Sequence, residues 1–135
     1  MKALDTSVLL ALLEGDRSAR ELVRKLRDVE VATTEVNLLE LTYLAARGPP
    51  RARNRRREAI ERLRRKITVL PVDARAVSEA QGGVLRGEGP PVPLVAAMLG
   101  ALEAAGCDEL FTSDPSECRG RWRFHLTRFS RRTTK

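Results

Sequence analysis

The chain has 135 residues, enough for one hydrophobic core and too few for two ordinary ones. Its hydrophobic fraction of 42% is globular, but aromatic residues make up only 4%, which argues against a β-sandwich and leaves Leu, Val and Ala to fill an interior of helices on a sheet. No apolar stretch approaches the roughly 18 residues of a membrane span, and strand-like sequence begins at Lys2, so the expectation is a cytoplasmic protein without a signal peptide; 25 Lys and Arg against 18 Asp and Glu give it a net charge of +7.

Hydrophobic period and punctuation divide the chain into alternating strands and helices, the pattern of βαβ units, with no internal repeat and no linker. Residues 2–5 read as a short buried strand, after which Thr6 or Ser7 caps a helix carrying Val8, Leu9, Leu10, Leu12 and Leu13 and ended by Gly15. Asp16 or Ser18 opens a second helix running to Arg27, with Leu22, Val23 and Leu26 on one face, and 29–32 form a second strand. Thr33 and Thr34 cap the next helix, which holds Val36, Leu38, Leu39, Leu41, Tyr43 and Leu44 and stops at Gly48-Pro49-Pro50. A basic helix follows over 51–66, then a third strand over 67–70 and a helix capped by Asp73 that carries Ala76, Val77 and Ala80. The Gly- and Pro-rich stretch 82–93 reads as a loop and candidate mobile flap. An apolar helix over 94–105, a fourth strand over 109–112 and an edge strand over 123–128 complete one domain, 1–129, before a basic polar tail, 130–135.

Cys107 and Cys118 lack the spacing of a disulfide scaffold or a zinc site and read as buried thiols. Low Asn, Gln, Met and Cys content with abundant Arg fits a thermophile, where an intracellular disulfide is tolerated, and fits a GC-rich genome equally. His125, the only histidine, sits beside Phe124 and Leu126 on the expected edge strand and reads as a packing residue rather than a catalytic one.

Parallel strands joined by helices place ligands at the carboxyl ends of the strands. Asp5 closes the first strand, and Asp114 lies just beyond the fourth. Glu40, in the helix leaving the second strand, leans back toward the same edge because helical side chains tilt toward the amino end. Converging carboxylates repel one another unless protons or cations neutralise them, and all-oxygen sites suit Mg²⁺ or Mn²⁺. Such ions polarise phosphates and activate water, which requires no His or Cys. Read singly, Asp5 is equally a helix cap and Asp114 a turn residue before Pro115, whereas Glu40 is a charge set among Leu38, Leu39 and Leu41.

The opening Leu4-Asp5-Thr6-Ser7, the segment Asn37-Leu38-Leu39-Glu40-Leu41 and Thr112-Ser113-Asp114, in this order and spacing and with the lead-in Gly106-Cys107-Asp108-Glu109-Leu110, resemble PIN domains of the VapC-like toxin class over the whole chain. The resemblance implies a three-layer α/β fold with a central, mostly parallel sheet of four to five strands and helices on both faces. It also implies an endoribonuclease using Mg²⁺ or Mn²⁺ on Asp5, Glu40 and Asp114, a homodimer, and in many members a small antitoxin partner. Ser7 and Asn37 then fall to orienting ligands or substrate. The family carries a further Asp at the start of the helix leading to the fourth strand; here that position falls on Val92 or, with a shorter helix, Val95. Glu88, in the loop just before, is either a substitute ligand or an exposed loop residue.

The positive charge is concentrated in two places. Arg51, Arg53, Arg55, Arg56 and Arg57 head the basic helix, and from Arg119 onward seven basic residues stand without an acid. The helix either attracts RNA phosphates, with release of counterions, or forms a solvated face whose Arg62, Arg64 and Arg65 pair with acids of a partner. Two functions follow: metal-dependent RNA cleavage by the toxin of a toxin–antitoxin pair, or an RNA- or protein-binding module that has lost cleavage with its fourth acid.

Overall fold

A computed structural model of the chain describes residues 1–87 and 89–132. Five strands, β1 (Lys2–Leu4), β2 (Val31–Thr34), β3 (Thr68–Leu70), β4 (Glu109–Thr112) and β5 (His125–Arg128), form one sheet in the order β3-β2-β1-β4-β5. Every pairing is parallel, so all five carboxyl ends lie on one edge. Chain direction across the sheet reverses between β1 and β4. Strands β1 to β3 are laid down outward on one side of β1, and β4 and β5 on the other.

Among the described residues six α-helices, α1 (Thr6–Leu13), α2 (Arg17–Lys25), α3 (Glu35–Ala45), α4 (Pro50–Lys66), α5 (Ala74–Leu85) and α6 (Pro93–Ala105), join β1 through to β4, and a 3-10 turn, Pro115–Cys118, lies between β4 and β5. Successive strand residues point to opposite faces, and the core divides accordingly. Leu4 and Phe111 join Val8, Leu9, Leu38, Leu41 and Ile60 from α1, α3 and α4 on one face. Ala3, Ala32, Leu70 and Leu110 meet Met98, Leu99 and Leu102 of α6 on the other. Helix α5 lies against α6 at Gly100, where a Cβ would come within 2.1 Å of the Ala76 carbonyl oxygen. The result is the expected three-layer α/β fold with a sheet that is wholly parallel.

Local chemistry accounts for the helix ends, with corrections to the sequence reading. Asp5, not Thr6 or Ser7, caps α1; its carboxylate accepts from the amides of Ser7 and Val8, and the strand accordingly stops at Leu4. Asp16, Thr34 and Asp73 cap α2, α3 and α5. Pro50 and Pro93 stand at the first position of α4 and α6, where a missing amide proton costs nothing, and Gly106 closes α6 at φ +74°. Strand β2 begins two residues later than 29–32, because Val29 still bonds back to the end of α2 through the Leu26 carbonyl.

The stretch 82–93 is not all loop. Helix α5 runs to Leu85 with Gly82 and Gly83 inside it, and Gly83 leaves room for the Trp122 ring, which a Cβ would approach to 2.8 Å. Only 86–92 join α5 to α6, and Glu88 lies outside the described residues. His125 is exposed at the amino end of β5 rather than packed, because its neighbours Phe124 and Leu126 point to the core face. Cys107 and Cys118 are buried and free. Of the basic tail, Arg131 and Arg132 pair with Glu14 and Glu21; residues 133–135 lie outside the described residues.

Candidate active site

The reversal of strand order between β1 and β4 opens a crevice at their carboxyl ends, since the connections there leave to opposite faces of the sheet. Asp5 follows β1 and Asp114 follows β4 by two residues, so these acids flank that crevice. One hydroxyl ties the two loops together. Ser7 Oγ donates to Asp5 Oδ1 and accepts from the Ser113 amide at 3.0 Å. Asp114 itself is held by its amide on Thr112 Oγ1 at 3.1 Å and by Ser116 Oγ on its Oδ1 at 2.6 Å.

Glu40 reaches the same edge from α3. Thr6 Oγ1, one residue from Asp5, donates to Glu40 Oε1 at 2.9 Å, and the same hydroxyl accepts from Asn37 Nδ2 at 3.1 Å. Asn37 is 2% exposed and fully engaged: Oδ1 accepts from the Thr34 amide and hydroxyl, and Nδ2 also contacts Met98 Sδ of α6. Thr6 had only a capping role in the sequence reading. A threonine beside an acid carries no sequence signal for a partner thirty-four residues away.

The donor chemistry suits a hard cation. Each of the three carboxylates receives its protein hydrogen bonds on one oxygen only, Oδ1 of Asp5 and Asp114 and Oε1 of Glu40, so the second oxygen has no protein donor among the described residues. None of the three is ion-paired among the described residues, in a chain carrying seven more cations than anions. The described residues do not, however, include three His, Cys, Asp or Glu side chains already grouped to hold an ion. Oxygen donors are those that Mg²⁺ and Mn²⁺ take, so the chemistry of the three acids fits such an ion although they do not stand grouped around one point. Nearby, burial pushes the Cys118 thiol up to about 11, and the charges of Asp5 and Asp114 act in the same direction, so it stays a neutral thiol under the acids.

Two further positions bear on the site. Val92 is the residue before α6 and provides no side-chain cap; it is exposed, whereas Val95 packs on the core. Leu94 joins Val36, Leu39, Tyr43 and Leu44 around a cavity of about 410 Å³ that Glu40 also lines. Arg128, at the carboxyl end of β5, reaches the Ser113 carbonyl at 3.4 Å and is a cation at the acidic edge.

The basic helix is not uniform. Arg56 donates to the Arg47 carbonyl just beyond α3 at 2.7 Å and reaches the carbonyl of Ala45, the last residue of α3, at 3.5 Å, and Arg64 makes a two-pronged pair with Glu35 at 2.6 and 3.2 Å. Arg53 and Arg57 line a cavity with Thr42, Ala45 and Ile60, while Arg51 and Arg55 are exposed. Arg51 to Arg57 lie by the last turn of α3, about 15 Å along that helix from its start at the acidic edge.

A family model described as PIN domain matches residues 2–118. No curated protein matches the chain by sequence. Among solved structures, the chain is similar to VapBC2 from Rickettsia felis bound to a DNA fragment from its promoter, with 11% identity, a TM-score of 0.76 and coverage of 96% of this chain and 98% of that one. It is also similar to DNA-bound VapBC from Salmonella typhimurium, at 19% identity and a TM-score of 0.74, covering 94% and 96%. VapC20 from Mycobacterium tuberculosis, a Sarcin-Ricin loop cleaving toxin, matches at 22% identity and a TM-score of 0.60, covering 88% and 99%. At these identities the likeness is one of fold.

Proposed function

Because the chain belongs to the PIN domain family, we propose that it is a Mg²⁺- or Mn²⁺-dependent endoribonuclease and the toxin of a toxin–antitoxin pair. The observation that supports this most is that Asp5 and Asp114 follow β1 and β4 at the strand-order reversal and that Glu40 is tied to Thr6 beside Asp5, each acid having, among the described residues, one carboxylate oxygen without a protein donor and no ion-pair partner. A divalent cation on these oxygens supplies neutralising charge, polarises the scissile phosphate and lowers the pKa of bound water. The chain's own part is to hold the acids. Asp5 is fixed by the first amides of α1 and by Ser7, Glu40 by Thr6, and Asp114 by Ser116 and its own amide on Thr112. Arg128 is the cation at hand for a phosphate oxygen, and the exposed arginines of α4 extend the attraction along the RNA.

Partners follow from the same reading. The matched VapBC structures are complexes, and a small antitoxin covering the acidic edge is proposed here, as is a homodimer. Incubating RNA with the protein in Mn²⁺ should give defined cuts that vanish with EDTA and with Asp5→Asn. Cleavage that persists in Asp5→Asn would remove this reading.

One observation favours a second reading, an RNA- or protein-binding module without cleavage. The start of α6 presents Val92 and Val95 at the two positions where the family resemblance implies an acid. Retention of RNA with no cut at any Mn²⁺ concentration would select it.

A further inference from the structure

We propose that Thr6 is a positioning residue: its hydroxyl, oriented by the buried amide of Asn37, fixes Glu40 so that one carboxylate oxygen is held and the other faces the site. The inference rests on the metal-dependent reading above. It concerns a residue to which that reading gives no role of its own.

The direction of every proton in this chain of contacts is determined by its neighbour. Thr34 Oγ1 accepts from the Asn37 amide at 3.2 Å and therefore turns its own proton to Asn37 Oδ1 at 2.7 Å. The Thr34 amide adds a second donor to Oδ1 at 3.3 Å, so the side-chain amide of Asn37 has its oxygen fixed toward the cap and its nitrogen toward Thr6. Thr6 Oγ1 receives a proton from Asn37 Nδ2, which leaves its own hydrogen free to point at Glu40 Oε1. The series runs one way, from the start of α3, through the first residue of α1, back to the middle of α3. Two elements that leave different strands are thereby locked at one carboxylate.

Such a lock matters because Glu40 is exposed, and an exposed glutamate otherwise samples many rotamers. Asn37 is 2% exposed, and its two nitrogen contacts reach both α1 and α6, so the support is anchored in the core rather than on the surface. Outer partners of metal-binding groups orient them, and their loss typically lowers metal affinity 10- to 100-fold.

The test is a double-mutant cycle on Mn²⁺ affinity, read by titration calorimetry on the full chain, together with urea unfolding of the metal-free protein. Thr6→Val keeps the shape and removes the hydroxyl; it should weaken Mn²⁺ binding about 10-fold, and Thr6→Ser should restore most of that loss. In a Glu40→Ala background, which removes the acceptor, Thr6→Val should cost no further affinity, and the two substitutions should be non-additive in the urea midpoint. An equal loss in both backgrounds, or full affinity in Thr6→Val, overturns the role of Thr6 while the metal reading stands. If the unsubstituted chain takes up no Mn²⁺, the metal reading falls and the positioning role falls with it, whereas non-additive unfolding would still report the hydrogen-bonded lock.

Discussion

If the chain is the nuclease proposed above, Val92 stands where the family resemblance implies a fourth acid. It precedes α6 with extended backbone and no side-chain cap, so an Asp there would accept from the first amides of the helix. Two effects must then be separated. Capping stabilises by about 1 kcal/mol whether the side chain is Asp or Ser, while ligand charge is supplied by Asp alone. Val92→Asp should raise RNA cleavage at limiting Mg²⁺, Val92→Ser should raise only the melting temperature, and Asp5→Asn added to Val92→Asp should abolish the gain. Equal cleavage by the Asp and Ser variants would show that rigidity rather than charge was missing. Val95→Asp is the poorer repair, because Val95 packs on the core and would bury a carboxylate. The two thiols give a pH prediction at the same scale. Burial raises Cys107 and Cys118 from 9.0 to about 11 in the fold, so the unfolded chain loses these protons first as pH rises. Stability contributed by the neutral thiols is therefore present below pH 9 and declines between about 9 and 11. Urea midpoints across that range should fall, and replacing both cysteines by Ala should flatten the fall; an unchanged slope would assign it to other groups.

At the scale of elements, sequence pattern located the strands and the α-helices to within a few residues, because apolar period, capping Asp and Thr, and Gly-Pro stops are local signals; the 3-10 turn Pro115–Cys118 it read only as a turn at Pro115. What escaped it were non-local causes. Gly82 and Gly83 look like a loop but lie within α5, and at Gly83 the missing Cβ makes room for Trp122, a ring some forty residues away in sequence. The acids Asp5 and Asp114 were legible as strand ends; the path that holds Glu40 was not, since Thr6 and Asn37 meet only after folding. Helix α4 shows the same limit. Its arginines look alike in sequence, yet Arg56 serves the end of α3 and Arg64 pairs with Glu35. Replacing Arg51, Arg55, Arg62 and Arg65 by Gln should therefore weaken RNA binding and reduce its salt slope by up to about one unit per lost phosphate contact, with folding retained. Arg56→Ala should instead lower stability by about 1 kcal/mol through the lost hydrogen bond. Fluorescence anisotropy at several salt concentrations checks the first; an unchanged slope would leave α4 to a partner protein or to solubility.

For the molecule as a whole, the net charge that would attract RNA on the proposed reading also opposes self-association, since every copy carries +7. A homodimer must therefore meet through a surface poor in cations. The face around Glu40 meets that condition: Val36, Leu39, Glu40, Tyr43, Leu44 and Leu94 include no Lys or Arg, and Tyr43 is 73% exposed, Leu39 57% and Leu94 54%. Pairing there would bury exposed apolar side chains and bring two acidic edges near one another, each beside the other's site. The sign of the salt effect separates this from RNA binding. Salt screens the repulsion between two like-charged copies while leaving apolar burial intact, so the dimer should tighten as salt rises, whereas RNA affinity should fall. Sedimentation equilibrium should show a dimer for the unsubstituted chain and a folded monomer for Tyr43→Asp with Leu39→Asp, because both positions are exposed and a surface charge there costs the fold little. A variant that remains dimeric would place the contact on another face, and a dimer that loosens with added salt would mean that charge pairs rather than this apolar face hold the copies together.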